Sequence, residues 1–431
     1  MSPRPGAREP SLRAGAFGAS VSELAERGAL RLEWARTHMP VLAAVRAELV
    51  KSKALKGLKI GMALHTEAKT GVLALTLKEA GASVRLASCN PLSTDDSVAA
   101  ALNERFGLET YAKKWETTDQ YYENLNKVLD LGPDLVVDDG ADLIHLLHTK
   151  RTELLGGIRG GNEETTTGVI RLRAMEKDGK LGFPVIDVND AKMKHFFDNR
   201  YGTGQSTMDG IMNATNLLIA GKTFVVAGYG WCGRGIASRA RGLGAHVVVT
   251  EVDPVKAIEA TMDGFPVMPM AEAVKIADFV VSATGVKDIV TESHLGDIKD
   301  GCVLANAGHF DNEISKAGLE RVGKRRRVRE LVDEYALKGG KKVYLLVEGR
   351  LVNLAAGQGH PVEIMDMSFS IQALCAGFLA RSAASLGRRV VPVPQELDER
   401  VARLKLETMG VAIDALTKSQ RRYLESWTEG T

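Results

Sequence analysis

The sequence predicts an α/β protein with two doubly wound parallel-sheet domains and a short helical C-terminal arm. Three observations carry this. From about residue 58 short β-branched apolar runs alternate with longer helical patterns, which is how strand–helix–strand units read. The alternation starts afresh at Phe224, so two sheets are needed. Polar and titratable residues follow directly on several of the runs, where open parallel sheets hold their ligands.

In the first series the runs are 58–64, 83–87, 135–137 and 185–188, with helical stretches such as 70–80 and 97–105 between them. The second series comprises 224–227, 246–250, 279–282 and 303–305. Immediately beyond these runs stand His65, Cys89 and Asn90, Asp138 and Asp139, Asn189 and Asp190, and His309. One such residue is more often a helix cap than a ligand. Their recurrence along both sheets implies a cleft where the two domains face each other.

Composition narrows the partners. A chain of 431 residues that is 45% hydrophobic has ample material for more than one core. Its 56 Lys and Arg nearly cancel 54 Asp and Glu, a balance that offers no field for nucleic acid or a membrane surface. A small-molecule partner is expected. Cys89, Cys232, Cys302 and Cys375 show neither disulfide nor metal-ligand spacing, so no metal is expected and a reducing cytoplasm fits. Residues 1–20 lack the apolar core of a signal peptide and read as a disordered tail. No stretch is expected to reach the roughly 20 apolar residues that span a bilayer. The basic run Lys324, Arg325, Arg326, Arg327 and Arg329 reads as a solvated loop or helix face.

The cofactor signal begins at the second series. The run 224–227 leads into Gly228, Gly230 and Gly233 in G-x-G-x-x-G spacing, followed by Gly235 and a helical pattern, and the next run ends at Glu251. That context is the Rossmann-like dinucleotide fingerprint. Gly228 permits the tight turn, Gly230 lets the backbone approach a pyrophosphate, Gly233 allows close packing, and the helix N-terminus favours the anion. Glu251 can accept from ribose hydroxyls and would repel a 2′-phosphate, so NAD is expected rather than NADP. Trp231 and Cys232 show no chemical role in the sequence, and Cys232 reads as a packing residue.

Several ordered segments resemble the S-adenosylhomocysteine hydrolase family: 88–94, Asp138-Asp139-Gly140, 163–168, Val188-Asn189-Asp190, 197–202, 227–230, 308–311, 348–354 and Gly359-His360-Pro361. The resemblance runs from about Ala35 to the C-terminus. It implies a concealed redox cycle on tightly held NAD. The ribose 3′-hydroxyl is oxidised, the C4′ hydrogen becomes acidic, homocysteine leaves C5′, water adds, and C3′ is reduced again. Proton transfers of this kind need groups of tuned pKa.

The resemblance further implies roles for matching positions. Lys194 and Asp198 resemble the pair at the ribose hydroxyls, with Lys194 the base at the 3′ position, and Glu164 resembles a further ribose ligand. His65 and Asp139 are similar to the acid and base at C4′ and C5′, His309 to the histidine beside C3′, and His360 to the one near the base and the homocysteine end. Thr165, Thr166, Thr167, Asn199 and Asn353 match positions that hold NAD. Lys256, Ala307 and Gly308 fall in the cofactor-binding set too.

Four departures stand out. Thr203 replaces a cysteine common near the cofactor, and Lys256 replaces an asparagine that contacts the NAD ribose. The chain ends at Thr431 without the Lys- and Tyr-bearing tail of longer relatives. Glu67 and Lys69 occupy positions where Thr and then Gln or Glu are commoner, and where the resemblance places recognition of the nucleobase. Lysine has only donors, which suits the oxygen of hypoxanthine better than the amino group of adenine. Against that, Lys69 could point to solvent while backbone groups hold adenine.

The expected substrate is thus S-adenosyl-L-homocysteine, with S-inosyl-L-homocysteine as the alternative. An NAD-dependent 2-hydroxy acid dehydrogenase shares the fold but does not require the set His65, Glu164, Lys194 and Asp198. A silent NAD-binding relative would have lost some of it. The resemblance implies a substrate domain over 21–198 and 357–392, an NAD domain over 199–356, an arm over 393–431, and a homotetramer.

Overall fold

The computed structural model describes residues 20–428, so the sequence-predicted tail lies, but for Ser20, outside the described residues. Ser20 opens the first helix, Val21–Thr37, by exchanging hydrogen bonds with Glu23 in a capping box.

The first sheet contains β1 (Lys59–Ala63), β2 (Ser83–Ala87), β3 (Glu109–Tyr111), β4 (Leu135–Asp138), β5 (Gly160–Glu163) and β6 (Val185–Asp187). The second contains β7 (Thr223–Ala227), β8 (His246–Thr250), β9 (Phe279–Ser282), β10 (Cys302–Asn306), β11 (Gly323–Arg329), β12 (Val332–Leu337) and β13 (Lys342–Leu346). The chain then returns, and β14 (Val390–Pro392) pairs in parallel with β6 as the last strand of the first sheet. The strand orders are β14-β6-β5-β4-β1-β2-β3 and β11-β12-β13-β10-β9-β7-β8. The first sheet is parallel throughout, and in the second only the β11–β12 and β12–β13 pairings are antiparallel. Helices cover both faces, which explains the continuous apolar runs of β4, β9 and β10.

Each sheet has a switch point where strand order reverses. In the first, β1 lies between β2 and β4; in the second, β7 lies between β8 and β9. Loops leaving neighbouring strands diverge there and open a crevice. His65 and Asp139 follow β1 and β4, and Gly228 and Ala283 follow β7 and β9.

Two expectations are corrected. The basic run 324–329 is neither loop nor helix but the exposed edge strand β11, whose Arg325, Arg326 and Arg327 meet Asp333 and Glu334 across the β11–β12 ladder, with Glu348 behind. Edge strands loaded with charge resist pairing with other chains. The helix Val362–Ser382, for its part, is long and apolar enough to cross a bilayer by composition. It is instead the core helix of the first unit, packed among residues such as Leu42, Val45, Leu73 and Ile186. Its buried Asp366 accepts from the backbone N–H groups of Val41 and Leu42, satisfying the start of the helix Pro40–Ser52.

Candidate active site

Between the two switch points lies a cavity of about 1190 Å³. Its lining includes His65, Glu67, Lys69, Asp139, Glu164, Thr165, Thr166, Thr167, Lys194, Asp198, Asn199, Gly228, Gly230, Glu251, Lys256, Ala307, Gly308, His309, Asn353 and His360. The structure thus brings together every sequence-predicted site residue except Gly233 and Gly235. Gly233 packs against the carbonyl of Gly228, as its spacing suggested. Gly235, expected to hold cofactor, instead sits against the carbonyl of Arg200 and the backbone of Gly204, where only a residue without Cβ fits.

At the centre, Lys194 Nζ lies 2.9 Å from Asp198 Oδ1, 2.7 Å from Asn199 Oδ1 and 3.4 Å from Glu164 Oε1. All four side chains are buried. Lys194 projects from the short helix Lys192–His195, and Asp198 and Asn199 follow on the π-helical turn Asp198–Gly202. Glu164 follows β5 and is fixed from the core helix by Ser368, at 2.7 Å, and Gln372, at 2.6 Å. Burial disfavours the Lys194 charge, yet Asp198 and Glu164 more than offset it and hold the ammonium protonated well above the usual lysine range. Burial, with the charges of Asp198 and Asp139, pushes Glu164 up to about 7 despite Lys194.

Beside this group, Asp139 stands between two histidines, with His65 Nε2 3.5 Å from Oδ2 and His309 Nδ1 3.7 Å from Oδ1. His65 Nδ1 is 2.7 Å from the Ser93 hydroxyl. Burial lowers His65 to about 4 in spite of Asp139, so its imidazole is neutral at pH 7. His309 is seated by Gly140, at φ +103°, where an added Cβ would lie 2.3 Å from the ring nitrogen. The three side chains each offer a ligand atom within 4.8 Å of the others, a donor set that a divalent cation could occupy although no metal was expected from the sequence.

At one end of the cavity Lys69 Nζ donates to Glu67 Oε2 at 2.8 Å and to the Gln358 carbonyl at 2.9 Å. Lys69 is 8% exposed, which corrects the reading of a solvent-directed head. Nearby, His360 Nε2 lies 3.0 Å from the Thr203 hydroxyl and 3.7 Å from Asp198.

The other lobe fits a dinucleotide. The helix Trp231–Gly242 begins at Gly230 with no side-chain cap, leaving first-turn amides for an anion. Gly228 is at φ +93°, and nothing lies within 4 Å of where a Gly230 Cβ would be. Glu251 is held by the Tyr229 amide at 2.6 Å and the Val252 amide at 2.7 Å. Asn353 Oδ1 is buried without a partner, the state of a side chain shaped for a ligand.

Sequence reasoning missed Ser93, Ser368 and Gln372, which orient His65 and Glu164. Ser93 lay within a quoted motif, but Ser368 and Gln372 carry no signal beyond their i, i+4 spacing on one helix. Cys232, read as packing, lines the cavity with its Sγ 3.7 Å from the Thr203 hydroxyl.

Two Rossmann-like sheets facing across this cavity, with an acid–base cluster between them, define an enzyme of the dinucleotide-using class. Residues 19–157 match the family described as S-adenosyl-L-homocysteine hydrolase, and 199–359 match its NAD binding domain. An S-inosyl-L-homocysteine hydrolase of Methanocaldococcus jannaschii is 60% identical over 94% of this chain and 98% of its own. An adenosylhomocysteinase of Thermoplasma volcanium is 57% identical over 94% of this chain and 99% of its own. A dipicolinate synthase of Bacillus halodurans superposes with a TM-score of 0.46 at 13% identity, over 76% of this chain and 100% of that one. The chain belongs to the S-adenosyl-L-homocysteine hydrolase family and is an NAD-dependent hydrolase.

Proposed function

We propose that the chain catalyses the reversible hydrolysis of a nucleosyl-L-homocysteine to nucleoside and homocysteine, with the nucleoside held between 21–198 plus 357–392 and NAD held by 199–356. The observation that carries this reading is the buried group Glu164–Lys194–Asp198 beside His65–Asp139–His309. Bound NAD supplies reversible oxidation at the ribose 3′ carbon. Thr165, Thr166, Thr167, Asn199, Gly228, Gly230, Glu251, Lys256, Ala307, Gly308 and Asn353 would hold it.

Asp198 and Glu164 accept from the ribose hydroxyls, and Lys194 faces the 3′ oxygen. An ammonium cannot take a proton. Lys194 as found is therefore a donor to that oxygen, and it serves as base only once its proton has moved on, a step that the neighbouring Asp198 and Glu164 oppose by holding the ammonium. Neutral His65, steered by Ser93, takes and returns a proton beside C4′ and C5′, with Asp139 as its partner. His309 closes the same side.

For the nucleobase, the geometry favours hypoxanthine over the adenine first expected. Lys69 has two of its three N–H donors engaged, and the third suits the hypoxanthine oxygen, whereas the adenine amino group would set donor against donor. Identity does not choose between them, since the two relatives carry the two names. The test is to supply both thioethers to the purified protein and identify the nucleoside released. Faster turnover of the inosyl compound is expected, and at least tenfold preference for the adenosyl compound would restore the adenosine reading.

We also propose a cytoplasmic homotetramer. The four cysteines are unpaired, and the arm leaves Ile413, Leu424 and Trp427 exposed, apolar surface suited to another copy.

A further inference from the structure

Three acidic residues end three neighbouring strands at one level. Asp138 of β4 is the register partner of Glu163 of β5, which is the partner of Asp187 of β6. All three have 0% exposure. Adjacent strands lie about 4.8 Å apart, so three carboxylates here would form a stack of like charges out of reach of water.

Their surroundings differ. Asp187 meets Arg173 at 2.8 Å. Asp138 accepts from the backbone N–H groups of Asp139, at 3.0 Å, and Ile144, at 2.8 Å. Glu163 has no cation partner among the described residues. Its Oε1 accepts from the Gly140 amide at 2.8 Å and the Thr165 amide at 3.0 Å, and its Oε2 is buried with no partner. Arg171 donates to the Gly140 carbonyl at 2.5 Å and to Asp142 at 2.8 Å instead. Gly168 seals the space, since a Cβ there would lie 2.2 Å from the Glu163 carboxyl.

We propose that Glu163 is a positioning residue that works as an uncharged acid, pinning the turn of Asp139 and Gly140 to the turn of Thr165–Thr167. One oxygen serves an amide from each turn. The first presents Asp139 to His65 and His309, and the second lines the cofactor lobe. Glu163 does not line the cavity; it acts through both turns. Burial, then the charges of Asp138 and Asp139, push its carboxyl well above the usual range.

The activity arm of the test rests on the hydrolase reading above; the spectroscopic arm does not. Glu163→Gln keeps a neutral acceptor oxygen, and Glu163→Met keeps the volume without it. In the NAD-loaded enzyme, Glu163→Gln should retain kcat within about threefold of wild type, because positioning survives. Glu163→Met should lose about 10²-fold, the scale of an ångström-sized misplacement, and retain less NAD on gel filtration. An infrared difference spectrum of wild type minus Glu163→Gln, at mildly alkaline pH, should show the C=O stretch of a protonated carboxylic acid. Absence of that band overturns the uncharged state. Equal loss in the Gln and Met variants overturns it too, since charge would then be what matters. Wild-type kcat and NAD content in Glu163→Met overturn the positioning role. If wild type hydrolyses no nucleosyl-homocysteine, the functional reading falls, while the band still decides the state of Glu163.

Discussion

Lys69 and Gln358 are joined by a 2.9 Å hydrogen bond from the ammonium to the backbone carbonyl. The contact ties the start of the helix Ala68–Glu79 to the segment through which the chain re-enters the first unit. The side chain proposed to meet the nucleobase is therefore also the one fastened to the return crossing.

Lys69→Gln replaces a pure donor by a group that can also accept. The ratio of kcat/KM for the adenosyl over the inosyl thioether should rise by about tenfold or more, because buried polar mismatches discriminate strongly. Steady-state kinetics with both substrates checks this, and an unchanged ratio would remove Lys69 from base selection.

Lys194→Met and Asp198→Asn should lower turnover by about 10²–10⁴-fold, the usual contribution of acid–base groups, with no reduced cofactor accumulating. His65→Asn should lower turnover similarly but let reduced nicotinamide build up, because the block falls after oxidation. Absorbance during a single turnover separates the two patterns.

Glu116 offers a pH signature away from the cavity. Burial raises its carboxyl to about 7 although Asn124 donates to it, and Oε1 has no partner. The folded chain thus keeps a proton between pH 4.5 and 7 that the unfolded chain has lost, so this group costs stability as pH rises through that window. Glu116→Gln should be no more stable than wild type below pH 4.5. Above pH 7 it should be more stable by about 1–3 kcal/mol. Denaturant melts at both ends of the range measure the difference, and a gain independent of pH would contradict the assignment.

Gly235→Ala should destabilise by roughly 1–3 kcal/mol, the usual cost of overpacking, because its Cβ would lie 1.8 Å from the Arg200 carbonyl oxygen. That carbonyl belongs to the turn carrying Asp198 and Asn199, so kcat should fall as well. Thermal unfolding and initial rates test both.

The two-sheet architecture was legible because strands buried on both faces leave continuous apolar runs. β5 escaped notice because it reads Gly-Gly-Asn-Glu. Its glycines admit Val136 and Leu379 at distances no Cβ would tolerate, a tertiary demand with no local pattern. β11 was hidden for the opposite reason, its arginines being satisfied by acids on the neighbouring strand. Within the site, polar residues just beyond strands were readable from topology, and the segment matches supplied their expected roles. Ser368 and Gln372 were not readable, since a buried helix carries polar groups only where another element needs them. The protonation of Lys194 was hidden too, because its two carboxylate neighbours come from separate elements.

Finally, the return of β14 to the first sheet bears on how the protein is made. The core helix Val362–Ser382 and β14 leave the ribosome only after the whole second sheet. Until then Leu42, Leu73 and Ile186 lack the helix that covers them, and β6 is an open edge. Nascent chains halted before residue 362 should therefore display sticky surface and recruit holdase chaperones, whereas the second unit can collapse first.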